Sequence, residues 1–292
     1  MKKIIYKIIN WYATHFRFPA RGSSILFGCC KLLGINDWYF LKKLPSGIIL
    51  RLNINDHIQK QLFWHGAYEF GEMNLLIKLL EKGDCFMDIG ANIGYFSLHA
   101  AHSVGQTGMV WSFEPATAIF EQLQQHIKIN KFSNINAVKN GVSNKSLSSV
   151  LYLSSDKNYG STGLQPGDEF SGATEDISLV KLDDFVIEQN IKTIRAVKID
   201  VEGHELQVLQ GMQQILNTCK PAVLIEIIAA QLQLHNNTVE EIYNLMNLLD
   251  YYAWYIDETK KLVQVPDNHF EGYGIFFLQQ SHLSKIFVHQ KT

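Results

Sequence analysis

Short apolar runs alternate with amphipathic segments from about residue 72 onward. The runs cover residues 85–89, 109–114, 135–138, 196–200 and 222–227. Between them, apolar side chains recur at helical spacing, as at Phe96, Ala100 and Val104. Strands that are apolar throughout and separated by helices indicate a parallel sheet covered on both faces. Three later runs, at 252–256, 262–265 and 273–278, are joined by short turns and predict antiparallel strands.

The first 70 residues lack this alternation of apolar runs and amphipathic segments. Lysines alternate with Ile and Trp over residues 1–18, which predicts an amphipathic helix. This helix could pack on the larger domain or make a peripheral contact with a membrane surface. Strand-like runs at 38–41 and 48–52 flank a turn and predict a hairpin, and Asn55 or Asp56 can cap a short helix after it. We therefore expect an N-terminal extension over residues 1–70 and one larger domain over residues 71–292.

The stretch 154–176 is rich in Ser, Gly, Asp and Pro and predicts a long loop. A loop of this length in a compact domain is often functional, for example as a lid, and an inert surface excursion is the alternative.

Composition narrows the classes of partner and compartment. The chain has 292 residues, 47% of them hydrophobic, which suits one large core. A net charge of −2 disfavours nucleic acid as a partner. The four cysteines, Cys29, Cys30, Cys85 and Cys219, form no C-x-x-C pair, which fits a reducing compartment such as the cytoplasm. Nothing in the pattern predicts an oligomeric state.

The strongest local motif runs from Asp88 through Gly90, Asn92 and Gly94, directly between a strand and a helix. Glycines there let the backbone turn tightly and approach a ligand. A dinucleotide site needs G-x-G-x-x-G for its pyrophosphate, whereas this motif is G-x-x-x-G preceded by an acid. An acid and an amide suit S-adenosylmethionine, which carries an ammonium and a sulfonium and no phosphate.

Glu114 ends the next strand, about 20 residues after the glycines. An acid at this position can accept hydrogen bonds from both ribose hydroxyls of a nucleotide-like ligand. The third strand ends close to Gly141 and Val142, at the edge that faces the adenine in this architecture. These two residues are therefore expected beside the base.

Three blocks together resemble the FkbM family of S-adenosylmethionine-dependent methyltransferases: Asp88-Ile-Gly-Ala-Asn-Ile-Gly-Tyr, Phe113-Glu-Pro and Val197-Lys-Ile-Asp-Val-Glu-Gly-His-Glu205. The stretches 65–69 and 224–226 are similar to further landmarks of that family. The resemblance implies a Rossmann-like class I methyltransferase fold, with a mostly parallel seven-stranded sheet in the order 3-2-1-4-5-7-6 and the last strand antiparallel. It also implies O-methylation, often of sugars or natural-product hydroxyls.

Acidic residues follow strands four and five, where ligands bind in open α/β sheets. Asp200 is the leading candidate for the base that deprotonates a hydroxyl acceptor, with Glu202, His204 and Glu226 close by. Glu202 could instead cap the backbone around Gly203, and capping or packing is the simpler role for His204. We expect Lys198 to form a structural salt bridge.

Two further roles are open to acidic residues of this chain. Asp200 and Glu226 could bind Mg²⁺ and orient a diol, although this is the less favoured alternative because the spacing shows no third ligand. We therefore predict no metal ligand. Glu69 could approach the ammonium of S-adenosylmethionine, or it could cap the helix predicted over residues 72–80.

The sequence predicts a methyltransferase acting on a small-molecule or glycan acceptor. A nicotinamide-dependent oxidoreductase is the first alternative, and the missing third glycine and the lack of a hydride-transfer pair argue against it. A catalytically silent S-adenosylmethionine-binding subunit is the second alternative, and the intact acidic block at Asp200 makes it less attractive.

Overall fold

The computed structural model describes residues 39–154, 162–167, 170–268 and 270–288, together with Ile4, Lys7 and Ile8. The chain divides into one unit that ends at Tyr68 and a larger one that begins at Glu69. Most of the helix predicted over residues 1–18, like Cys29 and Cys30, lies outside the described residues. Ile4, Lys7 and Ile8 are helical and exposed. Within the described ranges, no helix has the length and apolar character needed to cross a membrane.

The smaller unit contains the predicted hairpin and short helix. Strands β1 (Tyr39–Lys43) and β2 (Ile49–Asn53) pair antiparallel, and helix α1 (His57–His65) follows. Of the two predicted caps, Asp56 is the one used: its carboxylate accepts a hydrogen bond from the Gln59 N–H at 2.8 Å. Gly66 ends the helix in the left-handed conformation.

The larger unit is an α/β domain. Its helices are α2 (Phe70–Leu79), α3 (Tyr95–Val104), α4 (Thr117–Asn130), α5 (Leu182–Glu188), α6 (Glu205–Gly211), α7 (Gln213–Thr218), α8 (Ala229–Leu234), α9 (Val239–Asn247) and α10 (Gln280–Val288). Its strands are β3 (Cys85–Ile89), β4 (Met109–Phe113), β5 (Ile135–Val138), β6 (Gly141–Ser143), β7 (Leu147–Ser154), β8 (Phe170–Lys181), β9 (Ala196–Ile199), β10 (Ala222–Ile227), β11 (Tyr252–Ile256), β12 (Leu262–Gln264) and β13 (Gly272–Leu278).

The main sheet has the order β12-β11-β13-β10-β9-β3-β4-β5. The five strands from β10 to β5 run parallel to one another, while β13 is antiparallel to both β10 and β11. The expected α/β class with a mostly parallel sheet is confirmed. The expected count of seven strands is wrong, because β12 folds back through a tight turn and pairs with the outer edge of β11.

Both faces of the central strands are covered, as their uniformly apolar sequences require. Val197 and Ile199 of β9 pack in a core cluster with residues of α5, α6, α7 and α9. Lys198 lies between them on the strand and points to the other face, where its Nζ lies 5.1 Å from the ring centre of Phe96 in α3. The sheet is therefore sandwiched between two layers of helices.

A second sheet of three strands has the order β6-β8-β7. It corrects the loop predicted over residues 154–176, because residues 170–176 form the first half of β8. Their backbone pairs antiparallel with β7, as between Leu151 and Glu175. Polar and glycine-rich residues are compatible with a strand here because this half of β8 lies on the surface.

Candidate functional site

The candidate site lies at the carboxyl ends of four neighbouring strands. The sheet order β10-β9-β3-β4 brings together Glu226 of β10, Asp200 after β9, the glycine turn after β3 and Glu114 after β4. Residues far apart in sequence converge here because parallel strands all end at the same edge.

The glycine turn approaches the end of β9 very closely. Gly90 has a φ of +75°, and a Cβ added to it would lie 1.8 Å from the carbonyl oxygen of Asp200. The N–H groups of Gly90 and Ala91 both donate to the carbonyl of Phe113, at 3.0 and 2.9 Å. Gly94, with a φ of +87°, directly precedes α3 and packs against Leu123. Only glycine fits the Gly90 position, which explains this part of the motif.

Glu114 is buried beside this turn. One carboxylate oxygen accepts the N–H of Asn92 at 2.9 Å, and the other accepts the N–H of Ala116 at 3.0 Å. Burial raises the pKa of Glu114 to about 7, against the effect of these two hydrogen bonds. Each oxygen keeps a second lone pair, so the group can still accept hydrogen bonds from a ligand.

Asp88 is fully buried behind the turn. One oxygen accepts a hydrogen bond from the Ser97 hydroxyl at 2.5 Å, and the other has no hydrogen-bond partner among the described residues. Burial raises the pKa of Asp88, although Lys198 and Ser97 oppose the shift. Because the carboxylate is fully buried, Asp88 can act on a cofactor only indirectly in this conformation. Cofactor binding by Asp88 stays a prediction.

The salt bridge expected for Lys198 is formed with Asp200 itself, at 2.8 Å. The Lys198 side chain is 8% exposed and that of Asp200 is 32% exposed, so the lysine lies behind the carboxylate. Burial alone would lower the pKa of Lys198, but Asp200, Asp88 and Glu69 together raise it. Burial disfavours the ionised form of Asp200, but Lys198 and a hydrogen bond from Glu226 lower its pKa below the usual value. Asp200 is thus ionised at neutral pH.

Glu202 and Glu226 join Asp200 in one acidic cluster. One carboxylate oxygen from each lies within 4.8 Å of the others, so Glu202 supplies the third ligand position that sequence spacing did not show for a divalent cation. Burial and the charge of Asp200 raise the pKa of Glu202 to about 9 and that of Glu226 to about 11. Both carboxyl groups are therefore protonated at neutral pH when no further cation is bound.

Glu205 performs the backbone capping considered for Glu202. Its Oε1 accepts the N–H groups of Val201 and Gly203, at 3.2 and 3.1 Å. Glu202 instead accepts a hydrogen bond from the Gln231 side chain and has a left-handed backbone with a φ of 55°. The backbone geometry of this turn determines which of the two glutamates caps the N–H groups. Residue spacing in the sequence does not show that geometry.

His204 makes its side-chain hydrogen bonds with residues outside the acidic cluster. Its Nε2 lies 2.9 Å from the Ser143 hydroxyl, and its Nδ1 lies 3.4 Å from Nδ1 of His235. Burial and the neighbouring His235 lower the pKa of His204 to about 4. It makes no side-chain cap on α6, so packing is the role that these contacts support.

The remaining predicted cofactor residues lie around the same edge. Glu69 precedes α2 in a left-handed conformation and makes no side-chain cap on that helix, so the capping alternative is wrong. Its charge acts on both Lys198 and Glu226. Gly141 lies against Leu179 and Pro115, while the Val142 side chain is buried in the core and leaves only its backbone for a ligand.

One neighbour of the acidic cluster lies in the stretch 154–176, which the sequence predicts only as a loop, functional or inert. Gly163 lies outside any strand, and its N–H and carbonyl pair with the carbonyl and N–H of Tyr152 in β7. A Cβ added to Gly163 would lie 3.4 Å from the Cβ of Glu202. The second sheet therefore reaches the cluster through this residue.

Comparison with known proteins gives the same family as the sequence motifs. Residues 88–252 match the family described as "Methyltransferase FkbM domain". Methyltransferase sdnD of Sordaria araneosa is 28% identical over 185 residues, which cover 54% of this chain and 68% of that protein. Hexuronic acid methyltransferase AglP of Haloferax volcanii is 28% identical over 217 residues, which cover 68% of this chain and 82% of that protein.

Among solved structures, Methyltransferase FkbM from Methylobacillus flagellatus KT aligns with 76% of this chain, at a TM-score of 0.44 and 18% identity. The chain spans 48% of that structure.

Proposed function

Because the chain belongs to the FkbM methyltransferase family, we propose that it transfers a methyl group from S-adenosylmethionine to a hydroxyl group of a sugar or natural product. The three carboxyl groups of the candidate site carry this proposal. Asp200, Glu202 and Glu226 converge beside the buried ammonium of Lys198. The ionised Asp200 can take the proton of a hydroxyl acceptor, while the protonated Glu202 and Glu226 can hydrogen-bond to the acceptor.

The residues around the glycine turn fit the rest of this cofactor. Glu114 retains lone pairs for the ribose hydroxyls. Gly90, in the turn, places no side chain between Glu114 and the ribose. Gly141 and Val142 follow the third parallel strand, where the adenine is expected. Glu69 supplies a carboxylate whose charge acts on the same corner as Lys198.

We assign Asp200 as the general base. Lys198 holds one of its oxygens, the group is ionised, and a third of its side chain is exposed at the strand ends. When bound, S-adenosylmethionine supplies an electrophilic methyl group on a sulfonium. The acceptor hydroxyl becomes acidic as its oxygen bonds to the methyl carbon and the carbon–sulfur bond breaks, so a carboxylate can take the proton. Correct positioning supplies most of the remaining rate enhancement.

We assign Glu202 and Glu226 the role of orienting the acceptor. As protonated carboxyl groups they can both donate and accept hydrogen bonds, which suits an acceptor with several hydroxyls. The similarity to a hexuronic acid methyltransferase supports a carbohydrate acceptor.

The proposed transfer requires no metal ion, since Lys198 already provides a positive charge beside Asp200. The alternative of a silent cofactor-binding subunit predicts no transfer of labelled methyl groups to any sugar or natural product.

The test is a calorimetric titration of S-adenosylmethionine, S-adenosylhomocysteine and NAD into the wild type and Glu114→Ala. We expect micromolar binding of the first two ligands, weakened at least about 30-fold in Glu114→Ala because two hydrogen bonds to the Glu114 carboxyl group are lost. Glu121→Ala, at an exposed position on α4, is the matched control and should bind like the wild type.

Thermal unfolding of both variants separates loss of binding from loss of folding. Binding of NAD without S-adenosylmethionine by the wild type would overturn the proposed function. Unchanged affinity in Glu114→Ala would contradict only the proposed contact between Glu114 and the ribose.

A further inference from the structure

Strand β8 of the second sheet contacts both chain segments that follow β4 and β5. These are residues 114–117, which contain Glu114, and residues 139–142, which contain Gly141 and Val142. Under the proposed function, the two segments enclose the adenosine half of the cofactor.

Glu175 of β8 makes the principal contact with the first segment. Its Oε2 accepts the N–H of Thr117 at 3.0 Å, and its Oε1 accepts the Thr117 hydroxyl. Thr117 is the first residue of α4, and Ala116 before it has no side chain that can cap the helix. Glu175 thus takes the place of an N-cap from a position 58 residues away in sequence.

The same carboxylate also holds the second segment. The Nζ of Lys139 lies 3.3 Å from Oε1 of Glu175. Two residues of β8 add further contacts: the Asn140 side-chain amide donates to the Ser178 carbonyl at 3.2 Å, and Leu179 packs on Gly141. The Glu175 side chain is only 22% exposed, compared with 44% for that of Lys139, so water screens this pair incompletely.

Resting on the proposed function, we propose that Glu175 is a positioning residue for the cofactor: it joins the segments at Thr117 and Lys139 and thereby sets the shape of the adenosine pocket. It makes no contact with the reacting atoms. Its loss should therefore weaken cofactor binding through these two segments and leave the methyl-transfer corner at Asp200 unchanged.

The experiment measures dissociation constants of S-adenosylmethionine and S-adenosylhomocysteine for the wild type and Glu175→Gln. The Gln amide would place N–H groups against the donors of Thr117 and Lys139. We expect both ligands to bind roughly 3- to 30-fold more weakly, by the same factor, because they share the adenosine half. A change near Asp200 would instead alter the ratio of the two constants, since only one ligand carries the sulfonium charge.

Asp176→Asn is the matched control. Asp176 is the next residue of β8 and its side chain lies on the opposite, exposed face of the strand, so this variant should bind like the wild type. A second pair of variants, both at Thr117, tests the proposal if Glu175→Gln fails to fold. Thr117→Val removes the hydroxyl donor and should weaken both ligands, whereas Thr117→Ser keeps the hydroxyl and should restore binding.

Wild-type affinity in folded Glu175→Gln, or in folded Thr117→Val, would overturn the proposal. So would a change in the ratio between the two ligands. Failure of the wild type to bind either ligand would instead reject the proposed function, so the two failures are distinguishable.

Discussion

Gly90 shows how a single residue determines whether the candidate site can form. Its α-hydrogen faces the carbonyl oxygen of Asp200, at a distance where a Cβ would lie only 1.8 Å from that oxygen. The left-handed φ is a second reason for glycine at this position. The close approach and the left-handed φ can be tested separately, because Gly172 has a similar φ of +86° but no atom of the described part of the chain within 4 Å of an added Cβ.

We predict that Gly90→Ala lowers the free energy of unfolding by at least about 4 kcal/mol, because β3 and β9 must move apart. Gly172→Ala should cost only about 1 kcal/mol, the backbone strain alone. Urea denaturation of both variants measures the difference. Equal losses would show that the Asp200 carbonyl moves aside easily and that close packing is not the reason for Gly90.

At the scale of elements, several helices begin without a cap from their own sequence. Helix α7 receives its cap from Asp183, whose two carboxylate oxygens accept the N–H groups of Gln214 and Ile215 at 3.0 and 3.1 Å. Asp183 is buried and lies 32 residues before Ile215. Such caps join elements that local propensity alone would leave independent.

Asp183→Ala should therefore lower the free energy of unfolding by about 2 kcal/mol, since two N–H groups at the start of α7, one of them buried, lose their acceptor. The control is Asp184→Ala, in the same first turn of α5. Asp184 is 56% exposed and pairs loosely with Lys181 at 3.6 Å, so its loss should cost under about 0.5 kcal/mol. Chemical denaturation of the two variants gives the comparison, and equal costs would contradict the capping role.

For the whole molecule, the distribution of charge matters more than its sum. The net charge is only −2, yet buried carboxyl groups concentrate at the carboxyl edge of the main sheet. Burial raises the pKa of Glu205 to about 7, despite hydrogen bonds from Val201 and Gly203. The folded protein therefore holds a proton on Glu205 between about pH 4.5 and 7, where the unfolded chain has released it.

It follows that stability falls as the pH rises through this window. Glu205→Gln removes the ionisation and keeps an oxygen for the two backbone donors, so this variant should exceed the wild type in stability by about 2–3 kcal/mol at pH 8. At pH 4.5 the difference should nearly vanish. Glu121→Gln, on the exposed face of α4, should show no such dependence. Denaturation at the two pH values tests this, and a difference independent of pH would contradict burial as its cause.

The central strands could be read from the sequence to within a residue or two, and the strand 85–89 was predicted with its observed bounds. Strands covered on both faces must be apolar throughout, so their composition marks them without knowledge of their neighbours. The same logic located Asp200, Glu114 and Glu226, because side chains that follow parallel strands meet at one edge. The strands β7 and β8 were harder to recognise, since their surface residues are polar and their pairing depends on each other.

The sequence by itself thus determined the α/β class, the glycine turn and the acidic edge, because each depends on local pattern and strand direction. Only the tertiary structure decided how the acids divide their roles. Lys198 keeps Asp200 ionised, Glu205 caps the turn in place of Glu202, and Glu175 reaches Thr117 across 58 residues. These roles depend on burial and on distances of about 3 Å between distant segments, which the order of residues along a chain does not specify.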